Sequence, residues 1–275
     1  MTPSSATDTR LAARGLTLAY DERVVVEDLD LDIPDGRVTV VVGPNGCGKS
    51  TLLRALGRLL KPRGGSVLLD GRELAALPTK QIARTVGLLP QSPTAPEAIT
   101  VADLVARGRQ PHQSWWQQWS EADERAVGEA MAHTDITDLA ERPVDELSGG
   151  QRQRVWIAMA LAQDTDLLLL DEPTTYLDIS HQVEVLDLVR QLAVPGERRP
   201  HGRTVVAVLH DLNQAARYAD HLVAMKSGRI VAEGPPSKVV TPDLMREVFG
   251  LDAVIVDDPV TGGPLVVPGR PWHAQ

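Results

Sequence analysis

The alternation of apolar and polar residues predicts two kinds of strand in this chain. Residues 28–33 alternate strictly between aspartate and an aliphatic residue, which predicts a strand with one wet face at the edge of an antiparallel sheet. Residues 38–42, 167–170 and 204–209 are instead almost entirely apolar. Such runs are typical of strands buried on both faces of a parallel sheet, so the sequence predicts an α/β core.

Helical patterns fill much of the remaining chain. From residue 100 to about 161 the pattern is helical and no strand is predicted, so a helical insert separates two blocks of the core. Within the insert, Ser120 followed by Asp123 is a capping signature for a helix that reaches about His133. Other helices are predicted at residues 152–163, 179–192 and 242–249.

A glycine-rich segment connects the first buried strand to the next helix. It consists of Gly43, Pro44, Asn45, Gly46, Cys47, Gly48, Lys49, Ser50 and Thr51. This order fits the P-loop pattern G-x-x-x-x-G-K-[ST] at every fixed position, in the strand–loop–helix setting that the motif requires. Free backbone N–H groups and the helix dipole favour an anion there, so we expect a nucleoside triphosphate site. A glycine-rich turn that only resembles a P-loop is the alternative interpretation.

The residues of the loop have different expected roles. The glycines let the backbone approach phosphate closely, Lys49 would bridge the outer phosphates, and the Ser50 hydroxyl would ligate Mg²⁺. Because Cys47 lies inside the loop, we expect its alkylation to block ATP binding by steric exclusion, and a Cys47→Ser variant to resist the reagent.

Two further strand ends carry ionisable residues. Asp171 and Glu172 follow one buried run and His210 follows another, and parallel sheets bind ligands at the carboxyl ends of their strands. Asp171 would hold Mg²⁺ directly or through water, Glu172 would orient or deprotonate the attacking water, and His210 would contact the γ-phosphate. Taken singly, Asp171 and Glu172 have the alternative interpretation of a helix cap or a surface pair, and His210 has that of a solvated turn.

Composition narrows the function further. The chain has 275 residues, a net charge of −9 and no lysine- and arginine-rich run, which disfavours a nucleic-acid partner. Its single cysteine excludes an internal disulfide and fits a reducing compartment.

No apolar run approaches the roughly 18 residues of a membrane-spanning helix. Residues 1–9 do not resemble a secretion signal, and we expect them to be flexible.

The motifs, taken in order, resemble those of one family. Besides the P-loop, five motifs carry the resemblance. They are Gln91 as the Q-loop, Leu-Ser-Gly-Gly-Gln at 147–151 as the signature, residues 167–171 with Glu172 as the second nucleotide motif, Tyr176-Leu177-Asp178 as the D-loop, and His210 as the switch histidine. This set resembles the nucleotide-binding subunit of an ABC transporter over residues 10–250, and the signature is highly specific to that family. Tyr176 departs from the Gly or Ala that often precedes the D-loop Leu-Asp.

The resemblance implies a fold and a ligand set. The fold would be a P-loop NTPase core with an antiparallel β subdomain, a helical subdomain inserted at about 92–162, and a short C-terminal extension at 251–275. The ligands would be ATP and Mg²⁺, with the metal held by Ser50, Gln91 and Asp171. Tyr20 would stack on the adenine ring, although a half-buried tyrosine of the sheet is the alternative.

The resemblance also implies that two copies of the chain stack head to tail around ATP. Ser148 and the N–H groups of Gly149 and Gly150, next to Gln151, would cap the γ-phosphate that the facing copy holds. Asp178 would lie near the same nucleotide. An isolated monomer is then expected to hydrolyse ATP slowly.

Other segments resemble ATPases of ferric-siderophore importers, with cobalamin and haem importers as close alternatives. These segments are residues 107–112, Cys47, residues 174–182 and the tail at 257–268. The resemblance implies a separate integral-membrane permease, an extracytoplasmic solute-binding protein acting indirectly, and a peripheral position on the cytoplasmic face of the inner membrane. A soluble ABC ATPase without a transport role and a P-loop kinase or GTPase are the competing hypotheses.

Two features of the helical insert are open to more than one interpretation. Trp115, Trp116 and Trp119 would form either a surface that faces the permease or part of the packing of the insert. Arg107 and Arg109 would be either part of the importer resemblance or ordinary surface arginines at a helix end.

Overall fold

The computed structural model describes residues 9–91, 93–113, 119–175, 177–197 and 199–271. The predictions for residues 1–8, for Trp115 and Trp116, for Tyr176 and for the last four residues of the extension lie outside the described residues. In the described part, no helix combines the length and the apolar character needed to cross a membrane.

The strands and helices follow one another along the whole described chain. The strands are β1 Thr9–Tyr20, β2 Arg23–Pro34, β3 Val38–Val42, β4 Gly64–Leu69, β5 Arg72–Glu73, β6 Val86–Leu89, β7 Leu167–Asp171, β8 Thr204–Val208, β9 His221–Lys226, β10 Arg229–Gly234, β11 Leu251–Asp257 and β12 Pro264–Pro271. The helices are α1 Lys49–Leu56, α2 Thr79–Thr85, α3 Val101–Ala106, α4 Glu121–His133, α5 Gly149–Ala162, α6 Ile179–Leu192, α7 Leu212–Tyr218, α8 Pro236–Val239 and α9 Pro242–Phe249.

The larger sheet has the strand order β10-β9-β3-β8-β7-β6. Strands β9, β3, β8, β7 and β6 pair in parallel, and β10 adds to the β9 edge in the antiparallel direction. The predicted buried runs β3, β8 and β7 are neighbours at its centre, which confirms the predicted α/β core. Their carboxyl ends therefore lie side by side at one edge of the sheet.

A second, antiparallel sheet has the order β2-β1-β4-β5. In its edge strand β2 the aspartates at 28, 30 and 32 are exposed, whereas Leu29, Leu31 and Ile33 are buried. This is the one-sided strand predicted from the strict alternation, and its edge position is confirmed. The sequence predicts this strand over 24–33, and β2 extends one residue further at each end, beginning at Arg23 directly after a tight turn.

Apolar layers cover both faces of the parallel sheet. Along β3, Val38, Val40 and Val42 pack into a cluster with the helical insert and the C-terminal segments, whereas Val41 packs on the opposite side with α1 and the antiparallel sheet. Because successive side chains of a strand point to opposite faces, one strand contributes to both layers. The sheet is thereby held between the two other parts of the chain.

The helical insert contains α3, α4 and α5, with α4 bounded as predicted. Ser120 and Asp123 form the reciprocal capping box, and the helix ends at His133. Arg109 is only 5% exposed, so it is not an ordinary surface arginine. Its Nε donates to Asp123 at 2.8 Å and its Nη1 donates to the carbonyl oxygen of Ala162 at 2.7 Å. Arg109 therefore joins the start of α4 to the end of α5.

The C-terminal strands β11 and β12 are longer than the short strands that the sequence predicts at 254–256 and 264–268, and they form an antiparallel hairpin. Asn213 of α7 exchanges two hydrogen bonds with the backbone of Val266, and Arg217 of the same helix pairs with Asp258 at 2.8 Å. The hairpin thus packs on α7, the helix that follows His210.

Candidate functional site

The glycine loop leaves β3 at the carboxyl edge of the parallel sheet and enters α1. Gly43 has a φ of 151°, and a Cβ built there would lie 2.2 Å from the carbonyl oxygen of Met225 in β9. That distance is far below van der Waals contact, so only glycine lets the chain turn away from the neighbouring strand here.

The loop borders a cleft of about 890 Å³. Residues from five separate parts of the sequence line it, among them Tyr20, Lys49, Ser50, Gln91, Glu172 and His210. Asn45, Gly46, Gly48 and Thr51 of the loop also face this cleft. A volume of this size is typical of small-molecule sites.

Lys49 is the first residue of α1 and is 5% exposed. Its Nζ donates to the carbonyl oxygens of Gly43 and Pro44 at 2.8 and 3.0 Å. The ammonium group is therefore held inside the curve of the loop, beside the positive end of the helix dipole. Both features favour binding of an anion such as a phosphate group.

Ser50 and Asp171 connect the start of α1 to the end of β7. The Ser50 hydroxyl donates to Oδ1 of Asp171 at 2.8 Å. Burial raises the pKa of Asp171, the hydrogen bond from Ser50 opposes that shift, and the charge of Glu172 adds to it. A hydroxyl beside a carboxylate is a donor set that suits a hard cation such as Mg²⁺.

Glu172 follows β7 in an unusual backbone conformation. Its φ is 54°, in the left-handed region, and its N–H donates to the carbonyl oxygen of Val208 in β8 at 3.2 Å. A non-glycine residue in this region costs on the order of 1–3 kcal/mol, and such strain is concentrated at functional sites. The turn directs the carboxylate into the cleft, where the side chain is largely buried.

Both carboxylate oxygens of Glu172 have partners. Gln91 Nε2 donates to Oε2 at 2.5 Å, and His210 Nε2 lies 2.6 Å from Oε1. The Thr175 hydroxyl also donates to Oε2, at 3.3 Å. Sequence reasoning missed Thr175, although its position three residues after Glu172 in a tight turn is a signal that could have indicated this contact.

Tyr20 lies at the end of β1, where the antiparallel sheet meets the cleft. Its side chain is 43% exposed, so Tyr20 is a half-buried tyrosine of the sheet that also faces the cleft. Arg54 of α1 donates from Nη1 to the Tyr20 hydroxyl at 3.4 Å. An exposed ring beside the loop is available for stacking on a planar base. Arg54 is a second contact that the sequence interpretation did not include.

The expectation for the Cys47 side chain was wrong. Cys47 is 5% exposed and packs in the apolar cluster beneath the loop, with its Sγ on the side of Gly43 rather than lining the cleft. Burial raises the pKa of the thiol, although the charge of Lys49 opposes this. The side chain therefore does not stand where a phosphate would approach, and only the backbone of Cys47 belongs to the loop surface.

The signature residues cap a helix on a different part of the chain. Ser148 accepts from the N–H of Gln151 and Gln151 accepts from the N–H of Ser148, which starts α5 at Gly149, three residues earlier than predicted. Ser148 and Gly149 are exposed and, in the described structure, none of the four residues Ser148, Gly149, Gly150 and Gln151 lines the cleft of its own chain.

Asp178 is the N-cap of α6 and also lies outside the lining of the cleft. The hydrogen bond from the backbone N–H of His181, with others from Ser180 and the His181 ring, lowers the pKa of Asp178 to about 2. A Cβ built on Gly150 would lie 3.6 Å from Leu177 and 3.7 Å from His181. The first turns of α5 and α6 are therefore adjacent and form one exposed region.

Three features meet at one edge of the parallel sheet: the glycine loop, the Ser50–Asp171 pair and the Glu172 carboxylate. This arrangement is that of a P-loop nucleotide-binding protein. Comparison with known proteins narrows this class. Residues 26–175 match the ABC transporter family. The chain belongs to this family, and it is an ATP-binding ATPase.

The comparisons also give individual relatives. The chain is 55% identical to the ferric enterobactin transport ATP-binding protein FepC of Escherichia coli strain K12, over 94% of both chains. It is 54% identical to the petrobactin import ATP-binding protein FpuD of Bacillus anthracis, over 94% of this chain and 93% of that protein.

Solved structures agree with the fold. A chain of an inward-facing ABC transporter described as of metal-chelate type has a TM-score of 0.80 and 29% identity, with 96% of this chain and 98% of that chain covered. A dimeric post-hydrolysis form of the ATP-binding cassette MJ0796, bound to ADP and Pi, has a TM-score of 0.71 and 28% identity, with 82% of this chain and 98% of that chain covered.

Proposed function

We propose that this chain is the ATP-hydrolysing subunit of a ferric-siderophore importer. The observation that carries the cargo assignment is the identity of 54–55% over almost the full length to ATP-binding proteins that serve ferric enterobactin and petrobactin. The observation that supports hydrolysis is the Glu172 carboxylate, which is held from both sides at the edge of the cleft.

The chemistry assigned to the cleft is attack of water on the γ-phosphate of ATP. Lys49 and the loop N–H groups would hold the phosphates, Tyr20 would stack on the adenine, and Glu172 would orient or deprotonate the water. His210 and Gln91 would keep the carboxylate in place. Ser50, Asp171 and the side-chain oxygen of Gln91 would hold Mg²⁺, which neutralises charge on the phosphates when it is bound with ATP.

The described residues fit a magnesium ion that is shared with a nucleotide. Among them, no group of three or more His, Cys, Asp or Glu side chains could hold a metal by itself. Mg²⁺ in nucleotide sites is bound through only one or two carboxylates, and phosphate and water complete most of its shell. The Ser50–Asp171 pair supplies such a small set.

We further propose that the working unit contains two copies of the chain, head to tail. The exposed α5 N-terminus at Ser148 and Gly149 would meet the γ-phosphate held by the other copy, with Asp178 close by. Within the described structure, these residues do not line the cleft of their own chain, which supports a contact with the nucleotide of the other copy.

The dimer would bind a separate integral-membrane permease on the cytoplasmic face of the inner membrane. An extracytoplasmic solute-binding protein would deliver the cargo.

Two measurements test this function. A strain that lacks the chain should lose uptake of iron from a ferric siderophore and regain it with the wild-type chain, but not with Glu172→Gln. Uptake of cobalamin and haem should remain. Purified Glu172→Gln protein should form a dimer with ATP on size-exclusion chromatography with light scattering. A monomer at saturating ATP, or unchanged iron uptake in the deleted strain, would contradict the proposal.

A further inference from the structure

Gln153 connects the helix that starts at the signature to the turn that carries Glu172. Its Nε2 donates a hydrogen bond of 2.8 Å to the carbonyl oxygen of Pro173, the residue directly after Glu172. Gln153 lies early in α5, the helix capped by Ser148, and its side chain is partly buried. The contact therefore runs from the region assigned to the partner's ATP to the region assigned to the chain's own ATP.

The turn at Glu172 needs support from outside itself. Glu172 has a left-handed φ of 54° and precedes a proline, which further restricts the conformations open to it. A residue in such a conformation keeps it only where the surrounding structure holds it. The N–H of Glu172 is held by Val208 of β8, and the carbonyl of Pro173, the following residue, is held by Gln153.

These two restraints differ in what they connect. The bond to Val208 lies between neighbouring strands of the central sheet, which is fully buried at that point. The bond from Gln153 comes instead from the helix whose N-terminus is exposed at Ser148 and Gly149. A displacement of α5 would therefore alter the turn through Gln153, whereas the sheet side would stay in place.

We infer that Gln153 is a positioning residue that couples the signature end of α5 to the Glu172 carboxylate of the same chain. The inference rests on the head-to-tail dimer proposed above, in which one chain offers its signature to one ATP and its Glu172 to the other. Closure on the partner's ATP fixes α5, and the hydrogen bond to Pro173 then fixes the turn that carries the base. The position of the Glu172 carboxylate at one ATP site thus depends on whether ATP occupies the other site.

The test replaces Gln153 with leucine, which keeps the approximate volume and removes the donor. Gln153→Leu is expected to lower kcat by roughly 10-fold or more, because small displacements of a catalytic group have large effects on rate. The ATP concentration at half-maximal rate, and ATP-driven dimerisation in the Glu172→Gln background, should stay unchanged. Gln153→Met repeats the test with a more flexible side chain. Gln191→Leu, at an exposed position of α6, should behave as wild type.

A double-mutant cycle with Ser148→Ala tests the coupling itself. If the signal passes through Gln153, the double variant should lose little more kcat than the worse single variant. Losses that multiply, a wild-type kcat in Gln153→Leu and Gln153→Met, or a failure of both to dimerise with ATP would overturn the inference. A failure of Glu172→Gln alone to dimerise would instead overturn the proposed dimer, so the two failures are distinguishable.

Discussion

His210 Nε2 lies 2.6 Å from Oε1 of Glu172, although the two residues follow different strands, β8 and β7. The strands are parallel neighbours, so their ends bring a ring nitrogen and a carboxylate into direct contact. Glu172 is largely buried and His210 is half-exposed, so the histidine covers the carboxylate on the cleft side. In the proposed mechanism, this contact would let His210 hold the Glu172 carboxylate in one orientation.

Replacing His210 with alanine is therefore expected to slow hydrolysis more than it weakens binding. Glu172 would keep Gln91 and Thr175 on Oε2 but lose its partner on Oε1. We expect kcat to fall by roughly 100-fold, the scale of a mispositioned general base, with ATP affinity almost unchanged. Steady-state hydrolysis and equilibrium ATP binding measure the two effects. His201→Ala, at an exposed loop position, is the control; equal losses in kcat and affinity would argue against this role.

Asp171→Asn is expected to stabilise the free protein while it abolishes hydrolysis. Burial raises the pKa of Asp171, so its ionised form is disfavoured in the folded state. Asparagine has no charge and can still accept the hydrogen bond from Ser50. We expect the free energy of unfolding at neutral pH to rise by roughly 0.5–2 kcal/mol, the common range for such changes. Urea unfolding and ATP hydrolysis test the two effects.

The stabilisation by Asp171→Asn should depend on pH in one direction. A carboxyl whose folded-state pKa is raised loses stability as pH increases from its ordinary value, 3.8, through the raised value. The advantage of the variant should therefore shrink as pH falls through that window, where wild-type Asp171 is protonated. Asp138→Asn, at an exposed site, is the control. An advantage that persists at acid pH would show that the charge of Asp171 is not its cause.

Cys47 is expected to react slowly with a maleimide in the folded protein. Its side chain is buried beneath the loop and burial raises the pKa of the thiol, so both access and the thiolate fraction are low. We expect labelling to be at least about 10-fold faster in denaturing urea, because reaction requires opening of the fold. Mass spectrometry over time measures this rate. Fast labelling of folded protein, with loss of ATP binding, would restore the expectation that the structure overturned.

The ion pair between Arg109 and Asp123 is expected to be essential for the stability of the helical insert. Both side chains are 7% exposed and their closest atoms are 2.8 Å apart. Removing one partner of a buried pair leaves the other charge uncompensated, so Arg109→Met should cost roughly 3–5 kcal/mol in urea unfolding. Arg125→Met is the matched control. Its partner Glu121 is 3.6 Å away and Arg125 itself is 63% exposed, so it should cost less than about 1 kcal/mol.

The same pair predicts a sensitivity to acid. Burial alone would raise the pKa of Asp123, but the hydrogen bonds from Arg109 and Ser120 hold it below its usual value of 3.8. A carboxyl with a lowered folded-state pKa contributes stability above 3.8 that is lost as pH falls through the lowered pKa. In Arg109→Met this acid-dependent loss should diminish. Unfolding curves recorded from neutral to acid pH test it, and identical pH profiles for both proteins would contradict it.

The parts of the fold that were predicted well are those in which local pattern and burial agree. Helix α6 matches its predicted bounds, and β2 shows the predicted wet face, because the periodicity of each reflects one buried side. Helix α7 was not predicted. It is a short helix that follows the Asp211 cap directly after His210, where the sequence interpretation predicted no helix. Its contacts with the C-terminal hairpin lie far away in the sequence.

The sequence by itself determined the strand–loop–helix chemistry at 43–51, the carboxylates and histidine at strand ends, and the signature that indicates the family, because each is a property of a few consecutive residues. Only the tertiary structure decided that Cys47 points into the core, that Arg109 is buried on Asp123, and that Gln153 holds Pro173. Direction and partnership of a side chain depend on which distant segments pack against it, and that is settled when the sheet and the helical insert come together.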